Sequence, residues 1–428
     1  MLKKIFGFDA AKHSVKTEVL AGITTFLTMA YILAVNPSIM GVTGMDKGAL
    51  FTSTALVSAL ACILMAVYAK LPIALAPGMG LNAFFAFVVC LAMGYSWQMA
   101  LTAVFLEGLI FIFLTITNLR EKLLEALPLC VKNAIGPAIG LFIAFLGMQN
   151  AGLIVKNDAT MVALGDMTAA TPLLCLIGLC ITVALMIKGM NGALLWGMLI
   201  TTLLGIPMGV TNIGGIVSAP PSMESICFAL QFDQIFTVDM AIIVFTLLFM
   251  DMFDTIGTLF GVAQNAKMVD ANGNVPWIRK AMMVDACATT AGALLGNCTV
   301  TAYMESASGV TAGGRTGLTA MTTGICFIAA LFMAPLFLSI PTAATGLALI
   351  LVGVMMMTSV TQLDFLDYTN AVPSFMCIAF MVLSCSISNG IVMGLLSYVL
   401  IHIACGRFSK LTIGNFILAA IFSLKFLI

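Results

Sequence analysis

An all-α polytopic membrane protein, with fourteen spans in two seven-span halves of opposite orientation, is the fold class this sequence predicts, and three observations predict it. The 428 residues are 61% hydrophobic and only 8% charged, with a mean hydropathy of +1.14, whereas an ordinary soluble domain carries roughly 25% charged residues. Apolar runs of 17 to 25 residues recur from end to end, each long enough to cross about 30 Å of hydrocarbon as a helix. Lysine and arginine then fall almost wholly on one side of the resulting map. The same numbers exclude a disordered chain or a soluble domain of useful size. With 18 basic and 18 acidic residues cancelling and no basic tract, no nucleic-acid partner is expected.

Taken in order, Lys3, Lys4, Lys12 and Lys16 precede an apolar run that lacks a small-residue cleavage site. That run is expected to be a retained first span over 17–36 rather than a signal peptide. Spans follow at 50–70, 72–92, 97–117, 131–149, 172–188 and 193–209. The second half repeats the count at 239–262, 280–297, 298–315, 317–339, 342–358, 372–388 and 390–405. A further stretch, 411–427, either crosses or lies in the interface. With the N-terminus cytoplasmic, fifteen basic residues fall inside, among them Arg120, Lys122, Lys267, Arg315 and Lys410. Two fall outside, Lys47 and Lys156, and Lys425 is unassigned. Dropping one early span would scatter those charges, so the count tests the number of crossings as well as their direction. An odd number of spans per half inverts the second half relative to the first.

Two spans at matching positions are interrupted. In the third, Pro72, Pro77, Gly78 and Gly80 break the helical ladder just before Leu81-Asn82-Ala83-Phe84-Phe85. The tenth opens Asn297-Cys298-Thr299-Val300-Thr301, too polar and β-branched to face lipid as a helix, and reaches Glu305. Irregular backbone at membrane depth survives only where protein or a water-filled cavity satisfies it. Paired interruptions in inverted halves point to a transport site near the midplane. An offset of 223 residues superposes both regions, carrying Asn82 onto Glu305, Tyr31 onto Asp254 and Phe26 onto Phe249.

Five acids lie within or near the hydrocarbon region: Glu107, Asp251, Asp254, Asp285 and Glu305. An ionised carboxylate there costs at least about 2.5 to 3.5 kcal/mol, which makes such groups natural proton carriers. Asp251 and Asp254 are three apart and share a helix face, with Thr258 one turn on. A buried carboxylate that only bonds neighbouring hydroxyls is the plainer reading for Asp251 as often as not, and is less apt for Asp254 and Glu305. For the isolated Glu107, and for Asp285 near its span end, pairing between helices is the better reading. After Glu305, Ser306-Ala307-Ser308-Gly309-Val310 reads as the start of a half-helix whose free N–H groups face a pocket, and a similar start follows Asn82. A small planar ligand would find carboxylates to accept its N–H groups and Phe84 or Tyr31 to stack on its face. An anion would not fit two acids.

The remaining features read as structure. The twelve cysteines show no CxxC pair and sit mostly in apolar runs, so they act as small hydrophobes and no metal or disulfide framework is expected. Gly313-Gly314-Arg315 is a turn with an interfacial anchor rather than a phosphate nest. His13 and His402 are polar residues near span ends, and the 31 methionines are filler. No cofactor is expected.

With those residues in view, four stretches resemble the adenine/guanine/hypoxanthine permease branch of the nucleobase (xanthine/uracil/ascorbate) transporter superfamily. They are Glu18 to Tyr31, Ala76 to Phe85, Asp251 to Thr258, and Thr301 to Val310 with Gly313-Gly-Arg315-Thr-Gly317. The resemblance covers nearly the whole chain. It implies two inverted seven-helix repeats, with a core domain from residues 1–130 and 239–340 and a gate domain from 131–238 and 341–428. It also implies short antiparallel strands in the broken spans 3 and 10 that meet between the domains. Substrate contacts are then expected at Asp254, Glu305, Asn82, Phe84, Tyr31, Ala83 and Ser306, and proton coupling at Glu305, Asp254 and Asp251. The uracil-transporting branch tends to place a glutamate where Asp254 stands and a histidine where Thr258 stands, so a histidine relay is not expected here.

The function implied is import of a purine base (adenine, guanine or hypoxanthine) by proton symport with alternating access. The setting is the cell membrane, plasma or inner, in contact with lipid, and a homodimer through the gate domain is compatible with it. A xanthine or uracil symporter of the same fold is the alternative. An anion carrier of the sulfate type would place a cation at the half-helix start rather than Glu305. An intramembrane aspartyl protease would need a Gly-x-Gly-Asp motif, which is absent, so no enzyme is expected.

Overall fold

The computed structural model describes residues 2–11, 13–117, 128–157, 160–212, 214–233, 235–266, 268, 277–384, 387–408, 411–412, 414–416 and 419. Lys12, Arg120, Lys122, Lys267, Lys410 and Lys425 of the charge count, and most of the 411–427 stretch, lie outside these residues. The chain is mostly helical, and six helical segments among the described residues are long and apolar enough to span a membrane: Val15–Thr43, Lys47–Ala69, Trp97–Thr117, Leu129–Asn150, Ala170–Ile187 and Gly317–Leu338. Shorter apolar helices include Met79–Ala92, Ala193–Gly205 and Thr342–Met356.

Two compact units divide the chain, one formed by Met1–Ile112 with Met148–Ala348, the other by Phe113–Gly147 with Leu349–Ile428. In the first unit, after the short helix α1 (Leu2–Phe6), come α2 (Val15–Met29), α3 (Ile32–Met40) and α4 (Lys47–Leu64). Pro37, inside α3, cannot donate to the preceding turn, and the ladder is irregular at Ala30 and Tyr31 between α2 and α3. The third apolar stretch then breaks where its prolines require it: an extended strand β1 (Leu75–Pro77), a five-residue helix α5 (Met79–Ala83) and a wider, π-helical continuation over Phe84–Ala92. Helix α6 (Trp97–Thr117) leads toward the second unit.

The second unit holds most of α7 (Leu129–Asn150). The chain returns to the first unit through an antiparallel hairpin of β2 (Ile154–Asn157) and β3 (Met161–Leu164), in the connection that follows α7. Helices α8 (Ala170–Ile187), α9 (Ala193–Gly205), the 29-residue α10 (Val238–Ala266) and α11 (Ile278–Leu294) follow. The tenth stretch is again broken, into strand β4 (Val300–Ala302) and the six-residue helix α12 (Ser306–Thr311), before α13 (Gly317–Ala330) and α14 (Ala334–Leu338). The C-terminal half of α15 (Thr342–Met356) belongs to the second unit and crosses α7 there, where a Cβ on Gly140 would stand 2.7 Å from the Gly353 carbonyl oxygen. Helices α16 (Tyr368–Leu383) and α17 (Ile387–Ala404) pack side by side.

Strands β1 and β4 pair antiparallel in the register Leu75 to Ala302, Ala76 to Thr301 and Pro77 to Val300. Pro77 has no N–H to give, and the next donor in line, the N–H of Gly78, bonds the Thr299 carbonyl at 2.9 Å. The Cys62 thiol on α4 clasps the far end, accepting from the Leu75 N–H at 3.4 Å. Around this ladder the core gathers Val57, Leu75, Leu259, Val284, Val300 and Val310, all buried. The described cysteines are free, without disulfides.

Helix α12 lies tight against α2 because residue 309 is glycine: a Cβ there would overlap the Thr25 hydroxyl and stand 2.7 Å from the Ala21 carbonyl oxygen. A backbone oxygen cannot swing aside, so Gly309→Ala is expected to lower stability by about 1 to 3 kcal/mol through overpacking. A lower melting temperature of the purified protein checks this; an unchanged melt would show that α12 shifts freely.

Candidate functional site

The irregular turn between α2 and α3 places Tyr31, fully buried, so that its hydroxyl donates to Glu305 Oε1 at 2.5 Å. Glu305 immediately precedes α12. Its backbone carbonyl accepts the Ser308 hydroxyl at 2.6 Å and the Ser308 N–H at 3.0 Å. The Thr28 hydroxyl on α2 is 3.0 Å from Ser308 Oγ, so the start of α12 is tied to α2 through both side chain and backbone. Asp254, in the middle of α10, is close enough for electrostatic interaction with Glu305. Tyr303 feels both carboxylates and donates its hydroxyl to the Pro77 carbonyl at 2.6 Å, across the β1–β4 ladder.

Accessibility separates the five membrane-embedded acids into two sets. Asp254 and Glu305 are half-buried. Glu107, Asp251 and Asp285 are wholly buried. Asp251 therefore does not stand with Asp254. Three residues of α-helix turn about 300°, and that 60° offset aims Asp251 toward Thr255, whose hydroxyl lies 3.3 Å from Asp251 Oδ1 and 2.9 Å from Asp285 Oδ2. The same hydroxyl is 2.9 Å from Thr301 Oγ1 on β4. Glu107 on α6 accepts the Thr299 hydroxyl at 2.8 Å and interacts electrostatically with Asp251 and Asp285. A sealed group of acids and threonines thus lies beside the ladder, while the half-buried Asp254 lies within the electrostatic reach of the half-buried Glu305. No Lys, Arg or His among the described residues forms an ion pair with Asp254 or Glu305. Nor does any described group of His, Cys, Asp and Glu have metal-binding geometry.

The other residues singled out from sequence are deeper. Ser306 is buried with its hydroxyl accepting the Ala74 N–H at 3.0 Å, which braces the strand junction. Ala83 and Phe84 are buried at the end of α5. Asn82 is buried too, and its Nδ2 donates to Asn36 Oδ1 at 2.5 Å. Arg315 turns its guanidinium back onto the carbonyls of Val310 and Gly314, at 2.5 and 2.7 Å, closing the C-terminal end of α12. Sequence reasoning missed Tyr303 and Asn36, each visible only as a polar residue in an apolar run, and gave no role to Asn297 or Glu18 although both lie in stretches it singled out.

A family model, Xan_ur_permease, described as a permease family, matches residues 16–393. The chain is 41% identical over 425 residues to the adenine permease AdeP of Escherichia coli, covering 99% of this chain and 96% of that one. It is 40% identical over 420 residues to the guanine/hypoxanthine permease PbuG of Bacillus subtilis, covering 95% of each. In fold it is similar to the transmembrane domain of a cyanobacterium bicarbonate transporter, BicA, with a TM-score of 0.66 at 17% identity, covering 89% of this chain and 97% of that one.

Proposed function

This chain belongs to the Xan_ur_permease family of permeases, and on that premise we propose that it imports purine nucleobases (adenine, guanine or hypoxanthine) by proton symport with alternating access. It is a multi-pass membrane protein and a transporter by family, and relatives similar over nearly its full length are named for purine bases. The observation that carries the finer reading is a pair of half-buried carboxylates with no ion-pair partner among the described residues, Asp254 in the middle of α10 and Glu305 at the start of the short helix of the broken tenth span. Carboxylates without a basic partner suit a neutral ring that offers N–H groups, and repel an anion. They also suit a proton as the coupled ion. Tyr31 and Phe84 supply ring faces, and Asn82, Ala83 and Ser306 complete the contact set. Fourteen spans in two inverted repeats, a cytoplasmic N-terminus and motion of a core domain (1–130, 239–340) against a gate domain (131–238, 341–428) complete this reading.

A neutral base gains nothing from membrane voltage, whereas one co-transported proton contributes about 2.3 kcal/mol per 100 mV, enough for roughly fifty-fold accumulation. Labelled hypoxanthine uptake into vesicles, challenged with each unlabelled base and with or without a pH gradient, tests both substrate and coupling. Competition by adenine, guanine or hypoxanthine but not by uracil or xanthine, with accumulation lost when the gradient is collapsed, is expected. Competition by uracil or xanthine alone would move the substrate to the alternative within the family, and uptake indifferent to the gradient would remove the proton.

A further inference from the structure

Asn82 presents a question of polarity. A carboxamide turned by 180° keeps its shape but exchanges acceptor for donor, so an isolated asparagine does not dictate what its ligand must offer. Here the choice is made at the far end of a buried chain of amides. The backbone N–H of Cys298 can only donate, and it reaches Asn297 at 3.0 Å, so that arm of Asn297 is its oxygen. The other arm lies 3.1 Å from Ser53 Oγ and 3.2 Å from Thr54 Oγ1. Those hydroxyls give their hydrogens to the carbonyls of Leu295, at 2.7 Å, and Leu50, at 2.6 Å, so toward Asn297 they can only accept. Asn36 in turn touches the Asn297 oxygen at 3.0 Å and Thr54 Oγ1 at 2.7 Å, two acceptors, and must present its NH2 group to both. Its oxygen is thereby turned toward Asn82, which must answer with its own NH2 at 2.5 Å. The oxygen of Asn82 is left over, buried and without a hydrogen-bond partner.

A buried acceptor left unpaired is unfavourable unless something supplies the missing donor. Helix α5, which carries Asn82, packs against α10, the helix of Asp254, and against α3, the helix of Asn36. We infer that Asn36 and Asn297 are positioning residues that lock Asn82 as a hydrogen-bond acceptor for an N–H group of the transported base, and so set which bases the site prefers. This rests on the proposed reading of Asn82 as a substrate contact. Polarity runs from the Cys298 backbone through the Asn297 and Asn36 side chains to Asn82.

Adenine and hypoxanthine are the natural probes, because they are almost the same shape and exchange donor for acceptor at ring positions 1 and 6. A locked acceptor distinguishes them; an amide free to turn does not. The wild-type protein is expected to prefer one over the other by at least about tenfold in uptake competition, as a site built around one hydrogen bond does. Asn36→Leu leaves Asn82 unheld, and the preference is expected to narrow to within about threefold. Asn36→Asp, protonated in this interior, donates to Asn297 and accepts from Asn82, so it keeps the preference. The readout is a ratio, so a variant that is merely scarce or unstable lowers both rates and leaves it unchanged. Should Asn36→Leu fail to reach the membrane, Asn36→Ser unlocks the same amide with a smaller change. An unaltered ratio in a transporting Asn36→Leu or Asn36→Ser protein would overturn the inference, as would a wild type that does not discriminate. A wild type that transports neither base, nor guanine, would overturn the purine reading instead.

Discussion

Replacing Glu305 with glutamine is expected to abolish concentrative uptake, taking accumulation from roughly fifty-fold at 100 mV to the external concentration. The substitution is conservative in shape. The Tyr31 hydroxyl, 2.5 Å from Glu305 Oε1, finds an amide oxygen in the same place, and the carbonyl of residue 305 still anchors Ser308. What disappears is a carboxyl group able to bind and release a proton, the role proposed for it. Downhill exchange of labelled for unlabelled base is expected to survive, because it needs binding and the conformational change but no net proton movement. The two assays, uptake under an imposed gradient and counterflow without one, separate coupling from binding. Gradient-driven accumulation at the wild-type level in Glu305→Gln would remove this residue from the proton path. Loss of counterflow as well would make it a binding residue first.

Glu18→Ala is expected to destabilise the protein by about 3 kcal/mol or more. Glu18 is 1% exposed, although it lies in the first turn of α2. Its two oxygens accept the N–H of Arg315 at 3.1 Å, the N–H of Thr316 at 3.2 Å and the Thr319 hydroxyl at 2.5 Å. The N–H groups of Arg315 and Thr316 lead into α13, whose own first turn is capped by the Thr316 hydroxyl accepting the Leu318 N–H at 3.3 Å, and a carboxylate at that helix entry gains from both the charge-assisted hydrogen bonds and the helix dipole. Truncation strands two buried donors, at Thr316 and Thr319, and a part-buried one at Arg315, each buried donor costing about 1 to 3 kcal/mol, against a typical total stability of about 5 to 15 kcal/mol. Thermal denaturation in detergent should show a melt lower by several degrees, with Glu18→Gln between the two because an amide oxygen still accepts. A melt for Glu18→Ala equal to wild type would mean that these three donors find other partners.

What the sequence could reveal followed the range of the physics involved. Prolines and glycines act on their own few residues, so the interruption around Pro72, Pro77 and Gly78 was legible without any tertiary knowledge, and so was the oddity of Asn297 to Thr301. Hydropathy is likewise a local property, and it isolated the five embedded acids. Whether each faces water or a neighbouring helix is not local. Asp251 and Asp254 share one side of a helix in projection, yet one is sealed beside Thr255 and Asp285 while the other is half-buried near Glu305. Asn36 meets Asn297 across 261 positions, and Glu18 meets Thr319 across 301. No window along the chain holds such a pair, and a single amide in an apolar run gives no hint of its partner.

The three-residue ladder between Leu75–Pro77 and Val300–Ala302 has a consequence for how this protein can diverge. Because neighbouring side chains on a strand point to opposite faces, slipping either strand by one position would turn every residue of that seam inside out, and with it the helical segment that each strand launches. An inserted or deleted residue in either half-span would therefore misplace both walls at once. New cargo preferences can arise here by exchanging side chains one at a time, while the spacing between strand and helix stays frozen.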